Sequence, residues 1–137
     1  MPLSIKYNED GGIIVRGEGI VNGNDIKEIN DIIYGSPESI EKIAYQLGDF
    51  TEVTDISISN SEIEELAIQD KKAAEINPNM FIALVGTKDL IFGLSRMWEA
   101  FIYESPFETM VFRKMEDAQQ WIKEKLQKKP EKGDLKI

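Results

Sequence analysis

Apolar and polar residues alternate from Leu3 to Asn8, with Leu3, Ile5 and Tyr7 on one face. Asp10-Gly11-Gly12 follows as a tight-turn signal, and a second strand-like stretch runs from Ile13 to Val21. Two such strands around a glycine turn predict a β-hairpin. Val21-Asn22-Gly23-Asn24 breaks the alternation. Asn24 is a helix cap in this reading, and Ile26, Ile29, Ile32 and Ile33 recur at helical spacing on one face. Gly35 stops that helix, and Ser36-Pro37-Glu38 starts a further short helical turn.

Ile43 to Phe50 reads as the next strand. Thr51 to Ser59 reads as a loop leading into a helix, because Val53, Ile56 and Ile58 are interrupted by Asp55, Ser57 and Ser59. Ser59-x-x-Glu62 is a capping box. The helix it opens carries Ile63, Leu66, Ala67, Asp70 and Ala74 along one stripe and ends at Asn77, before Pro78. Phe81-Ile82-Ala83-Leu84-Val85 is apolar throughout, the habit of a strand buried on both faces. Thr87 or Asp89 opens a helix with Leu90, Leu94, Met97, Trp98, Phe101 and Ile102 at helical spacing, which ends at Ser105-Pro106. Glu108 to Arg113 is the last strand. A final helix from Met115 to Gln127 turns Ala118, Trp121, Ile122 and Leu126 inward.

The order β-β-α-β-α-β-α-β-α predicts an α/β fold. Its sheet is mixed, with an N-terminal antiparallel hairpin followed by βαβαβα units. Residues 1–127 form one domain and 128–137 a flexible tail. A chain of 137 residues is long enough to bury a real core.

Composition narrows the chemistry. With no Cys and no His, thiol nucleophiles, Ser-His triads, Cys/His zinc sites, haem and iron–sulfur ligation are excluded. No cofactor or metal is expected. The net charge is −9, and eight of the 16 Lys and Arg residues lie at or beyond Arg113. An acidic body repels phosphates, so nucleic acid is not an expected partner. No apolar run reaches the ~18 residues of a membrane span. The N-terminus lacks the look of a signal peptide, and a cytoplasmic location is expected.

Three places merit a chemical reading. Asp49, Glu52 and Asp55 are carboxylates in one polar stretch, the basis of a metal-hydrolase reading, but their spacing is not that of an EF-hand. Gly86-Thr87-Lys88-Asp89 joins a strand to a helix without the glycines or Gly-Lys-Ser/Thr of a P-loop. Phe92, Met97, Trp98, Phe101 and Tyr103 make the richest aromatic region. Phe92 and Tyr103 fall off the inward stripe, so this helix is a candidate ligand or interface surface.

The hairpin, the βα units and the segments Asp49-Phe50-Thr51-Glu52-Val53, Phe81-Ile82-Ala83-Leu84-Val85-Gly86 and Met110-Val111-Phe112-Arg113 resemble the STAS superfamily. More closely, the chain resembles the small stand-alone SpoIIAA-like proteins of bacteria, over about residues 3–127. The resemblance implies a non-catalytic regulatory or protein-interaction module. Anti-sigma-factor antagonists of the family are switched by phosphorylation of a Ser in an Asp-Ser-Ser-Gly-like motif. The matching stretch here, Asp55-Ile56-Ser57-Ile58-Ser59-Asn60-Ser61, lacks that motif. Ser57, Ser59 and Ser61 are the candidate switch region. Other SpoIIAA-like relatives resemble the lipid-binding Sec14 fold, which implies a carrier or sensor of a small hydrophobic, lipid-like ligand beside the Trp98 helix. A protein partner or a homodimer is expected under either reading.

Overall fold

A computed structural model describes residues 2–128. The expected tail falls outside the described residues beyond Lys128, which ends the last helix. Strands β1 (Leu3–Tyr7) and β2 (Gly12–Asn22) form the antiparallel hairpin. Gly11 takes a φ of 88° in the turn, a value that favours glycine. The Gly12 amide donates to Asp10. A Cβ on Gly12 would lie 2.0 Å from the Tyr45 ring, so only glycine admits that ring.

Helices α1 (Gly23–Ile33) and α2 (Pro37–Glu41) lead to β3 (Tyr45–Ser57). Then follow α3 (Asn60–Ile76), β4 (Phe81–Val85), α4 (Asp89–Phe101), β5 (Glu108–Phe112) and α5 (Met115–Lys128). The sheet has five strands in the order β1-β2-β3-β4-β5, parallel from β2 onward. Each parallel strand is laid beside the one before it, in one direction across the sheet. Crossovers of a single hand therefore put α1 to α4 on one face. The α5 helix packs on the other face, against β3, β4 and β5.

The strands sort their side chains accordingly. In β4, Ile82 and Leu84 face the four-helix side, while Phe81, Ala83 and Val85 face α5. Alternate side chains of one strand point to opposite faces, so a central strand needs apolar residues throughout.

Four expectations need correction. The α1 cap is Asn22, whose side chain accepts from the Asp25 amide while Asp25 accepts from the Asn22 amide. Asn24 instead donates to Glu28. Ile32 is 60% exposed, because Ile26, Ile29 and Ile33 already fill the inward arc. On α4 Trp98 and, at its C-terminal end, Ile102 are buried as expected, but Ile91 and Ser95 complete the buried stripe, and Leu90 is 54% exposed. Finally, Thr51 to Ser57 is strand, not loop. β3 stays paired with β2 as far as Asn22–Ser57, with register shifts beside Gly17 and Gly19. Those bulges break the alternation that marks a strand in sequence.

Candidate functional site

Where α1, α3 and α4 meet over the sheet, their side chains do not close completely. They leave a cavity of about 100 Å³. Its sheet wall is Val15 of β2, Gln46, Gly48 and Phe50 of β3, and Ile82 and Leu84 of β4. Its helical wall includes Ile29 and Asn30 of α1, Ile63, Leu66 and Asp70 of α3, and Ile91, Leu94, Ser95 and Trp98 of α4. Ile26, Ile56 and Ile58 complete the lining and are only half-buried. Gly48 contributes to the space: a Cβ there would lie 2.5 Å from Leu84 Cδ2.

The wall is mostly apolar; besides Asn30 and Ser95, its polar side chains belong to one connected group. Asp70 is buried and accepts two hydrogen bonds. The Tyr34 hydroxyl donates to Oδ1 at 2.6 Å, and the Trp98 indole N–H donates to Oδ2 at 2.8 Å. Gln46 Nε2 donates to the Tyr34 oxygen at 2.7 Å and lies 3.4 Å from Met80 Sδ. Beside this group, Asn30 Nδ2 donates to Gln69, which in turn donates to Asp31.

Burial pushes the Asp70 carboxyl up to about 6, against the pull of the Tyr34 and Trp98 hydrogen bonds, which favour the anion. Tyr34 is held well above the usual phenol range, first by burial and then by the adjacent Asp70 charge. Among the described residues no Lys or Arg lines the cavity.

The sequence-derived candidates separate into three groups. Of Phe92, Met97, Trp98, Phe101 and Tyr103, Trp98 alone lines the cavity. Met97 and Phe101 are half-buried against the core beside it. Phe92 lies under the Arg113 guanidinium, 4.2 Å from its ring centre, with Arg96 at 6.0 Å. Tyr103 is 85% exposed. These five side chains therefore do not form one patch.

Ser57, Ser59 and Ser61 are exposed where β3 gives way to α3. Ser59 is the α3 cap, its hydroxyl accepting from the Glu62 amide at 3.1 Å while Glu62 accepts from the Ser59 amide at 2.8 Å. Ser61 Oγ lies 3.2 Å from Ser59 Oγ.

Asp49, Glu52 and Asp55 do not converge. Asp49 takes the Thr51 amide and hydroxyl. Among the described residues no group of three metal-ligating carboxylates exists. Lys88 caps α4 without a side-chain hydrogen bond.

Sequence reasoning missed the Tyr34–Asp70–Trp98–Gln46 group. One signal was available: Asp70 stands on the inward stripe of α3, where a carboxylate is rarely buried without partners.

A hairpin, three parallel βα units on one face and a C-terminal helix on the other make up the fold. Solved structures that match it include two of SpoIIAA, and they give the chain a SpoIIAA-like fold. One is the anti-sigma factor antagonist SpoIIAA in its unphosphorylated form. It shares 10% identity at a TM-score of 0.54, over 88% of this chain and 97% of that one. The other is the Bacillus cell fate determinant SpoIIAA in its phosphorylated form, at 10% identity and a TM-score of 0.58, over 88% of this chain and 98% of that one. No protein-family model and no curated protein matches the sequence. Among the described residues no helix is long and apolar enough to cross a membrane.

Proposed function

We propose that this protein is a non-catalytic regulatory module that works by binding another protein. The observation that carries this reading is the SpoIIAA-like fold over 88% of the chain, shared with an anti-sigma factor antagonist. That neighbour has both phosphorylated and unphosphorylated forms. In this chain the exposed hydroxyls of Ser57 and Ser61 flank the start of α3. A phosphate there would meet the positive end of the helix dipole. The docking region comprises this β3–α3 junction. The lack of Cys and His, and the engagement of both Asp70 oxygens by fixed donors, argue against turnover.

Photo-crosslinking tests this reading. A crosslinker at Ser57 or Ser61 is expected to capture one discrete partner protein, and one at Gln119 on α5 is not. Identical patterns from all three positions, or steady turnover of a small substrate by the purified protein, would overturn it.

The cavity favours a second reading, a carrier or sensor of a small hydrophobic ligand. Its volume of about 100 Å³ corresponds to roughly eight water-sized positions at ~10–15 Å³ each. That suits a compact ligand better than a long acyl chain. Native mass spectrometry is expected to show an added mass that denaturation removes. The same spectrum reads self-association directly.

A further inference from the structure

Asp70 is the feature of the cavity that neither reading requires. A buried carboxylate normally has a cation beside it, because an uncompensated charge away from water is costly. Here its partners are two neutral donors, Tyr34 and Trp98. Among the described residues it takes part in no ion pair. Among the described residues no basic side chain lines the space it faces. The usual alternative, a carboxyl kept neutral, is also incomplete. Tyr34 and Trp98 both donate to it, an arrangement suited to the anion, and with its carboxyl at about 6 the group is mostly ionised at pH 7.5.

We propose that the cavity binds a small apolar amine, its protonated nitrogen set against the Asp70 carboxylate and its body among the isoleucines and leucines of α1, α3 and α4. The inference rests on the ligand reading above and names the ligand's chemistry. Each Asp70 oxygen keeps a second lone pair for an ammonium donor. The tyrosine and indole donors fix the carboxylate beforehand, so ligand binding need not order it. A charge-assisted hydrogen bond of this kind is about twice as strong as a neutral one. The protein's net charge of −9 draws cations toward it. An anionic ligand would be repelled by Asp70, with no cation among the described wall residues to hold it.

The test compares three probes of nearly equal size: 2-phenylethylamine, 2-phenylethanol and phenylacetate. Each is titrated into the full chain at pH 7.5. Binding is read from the NMR signal of the Trp98 indole N–H, the proton donated to Asp70. The amine is expected to bind roughly tenfold or more tightly than the alcohol, with phenylacetate weakest. Asp70→Asn is expected to erase the preference for the amine over the alcohol. If the alcohol or phenylacetate binds as tightly as the amine, the amine inference fails and the ligand reading stands. If none of the three perturbs the Trp98 signal, both fail together. The wild-type comparison decides the matter even if Asp70→Asn does not fold.

Discussion

The two faces of the sheet are closed in different ways. One is covered by α1 to α4, which arrive from successive crossovers and meet one another as well as the sheet. Among the described residues, α5 is the helix that covers the other. Where several helices converge, their stripes must satisfy the sheet and each other at once. That face carries the buried Asp70 group and the cavity. A single helix laid across three strands has only one surface to fit. The α5 face is closed by apolar and aromatic contact: Tyr45 stacks on Phe81 at 5.7 Å, and Trp121 meets Phe81 edge-on at 5.4 Å and Phe112 at 5.8 Å. Both faces are held by apolar packing, and the four-helix face adds a buried polar group to it.

The largest effect is expected on the α5 face. Phe81→Ala removes the ring between Tyr45 and Trp121, and it should cost about 3–5 kcal/mol in urea unfolding. Amide exchange in α5 should rise more than in α3. Equal loss of protection in both helices would mean that the two faces do not separate energetically.

Acidification should sharpen the contrast from the other side. The Asp70 carboxyl stands at about 6 in the folded chain against 3.8 when unfolded. The folded state thus holds the extra proton between those values. Stability from this group is fully present below 3.8 and is lost as pH rises through 6, an effect on the order of 3 kcal/mol. Unfolding free energies of wild type and Asp70→Asn, measured from pH 7.5 to 4.5, should show wild type gaining relative to the variant. Parallel curves would place the Asp70 carboxyl in its ordinary range.

Tyr34→Phe leaves Gln46 Nε2 without its oxygen acceptor and removes one donor from Asp70. It should cost roughly 1–3 kcal/mol and raise the Asp70 carboxyl further. A cost near zero would show that water replaces the phenol, and that the polar group is wetter than its burial indicates. The smallest effects belong to the serines. Ser59→Ala loses the α3 cap and should cost about 1 kcal/mol. Ser61→Ala should stay within about 0.5 kcal/mol. Thermal or urea melts separate the two, and a large Ser61 effect would assign that hydroxyl a structural role.

Local signals placed most of this architecture. Asp10-Gly11-Gly12 marks the hairpin, Ser59-x-x-Glu62 marks the start of α3, and Asn77-Pro78 marks its end. Asn77 does more than stop the helix: its amide donates at 2.8 Å to the carbonyls of Ile40 and Ile43, which its sequence position does not reveal. The second half of β3 was hidden because its two bulges disturb the period-two pattern. Pairing with β2, a contact distant in sequence, is what makes it strand. On α4, both the expected stripe and the observed one have helical spacing, so periodicity alone does not choose between them. Contact with α3, including the Trp98–Asp70 hydrogen bond, selects Ile91, Ser95 and Trp98.

By itself, then, the sequence determined the order of elements, the hairpin, the apolar central strand and the absence of thiol and imidazole chemistry. Each of these is set by neighbours in the chain or by composition. Only the tertiary structure decided that Tyr34, Gln46, Asp70 and Trp98, which come from four separate elements or their ends, form one group beside a cavity. Their meeting depends on crossover hand, strand register and the rotation of α4, which are fixed by packing between distant segments and leave no local trace.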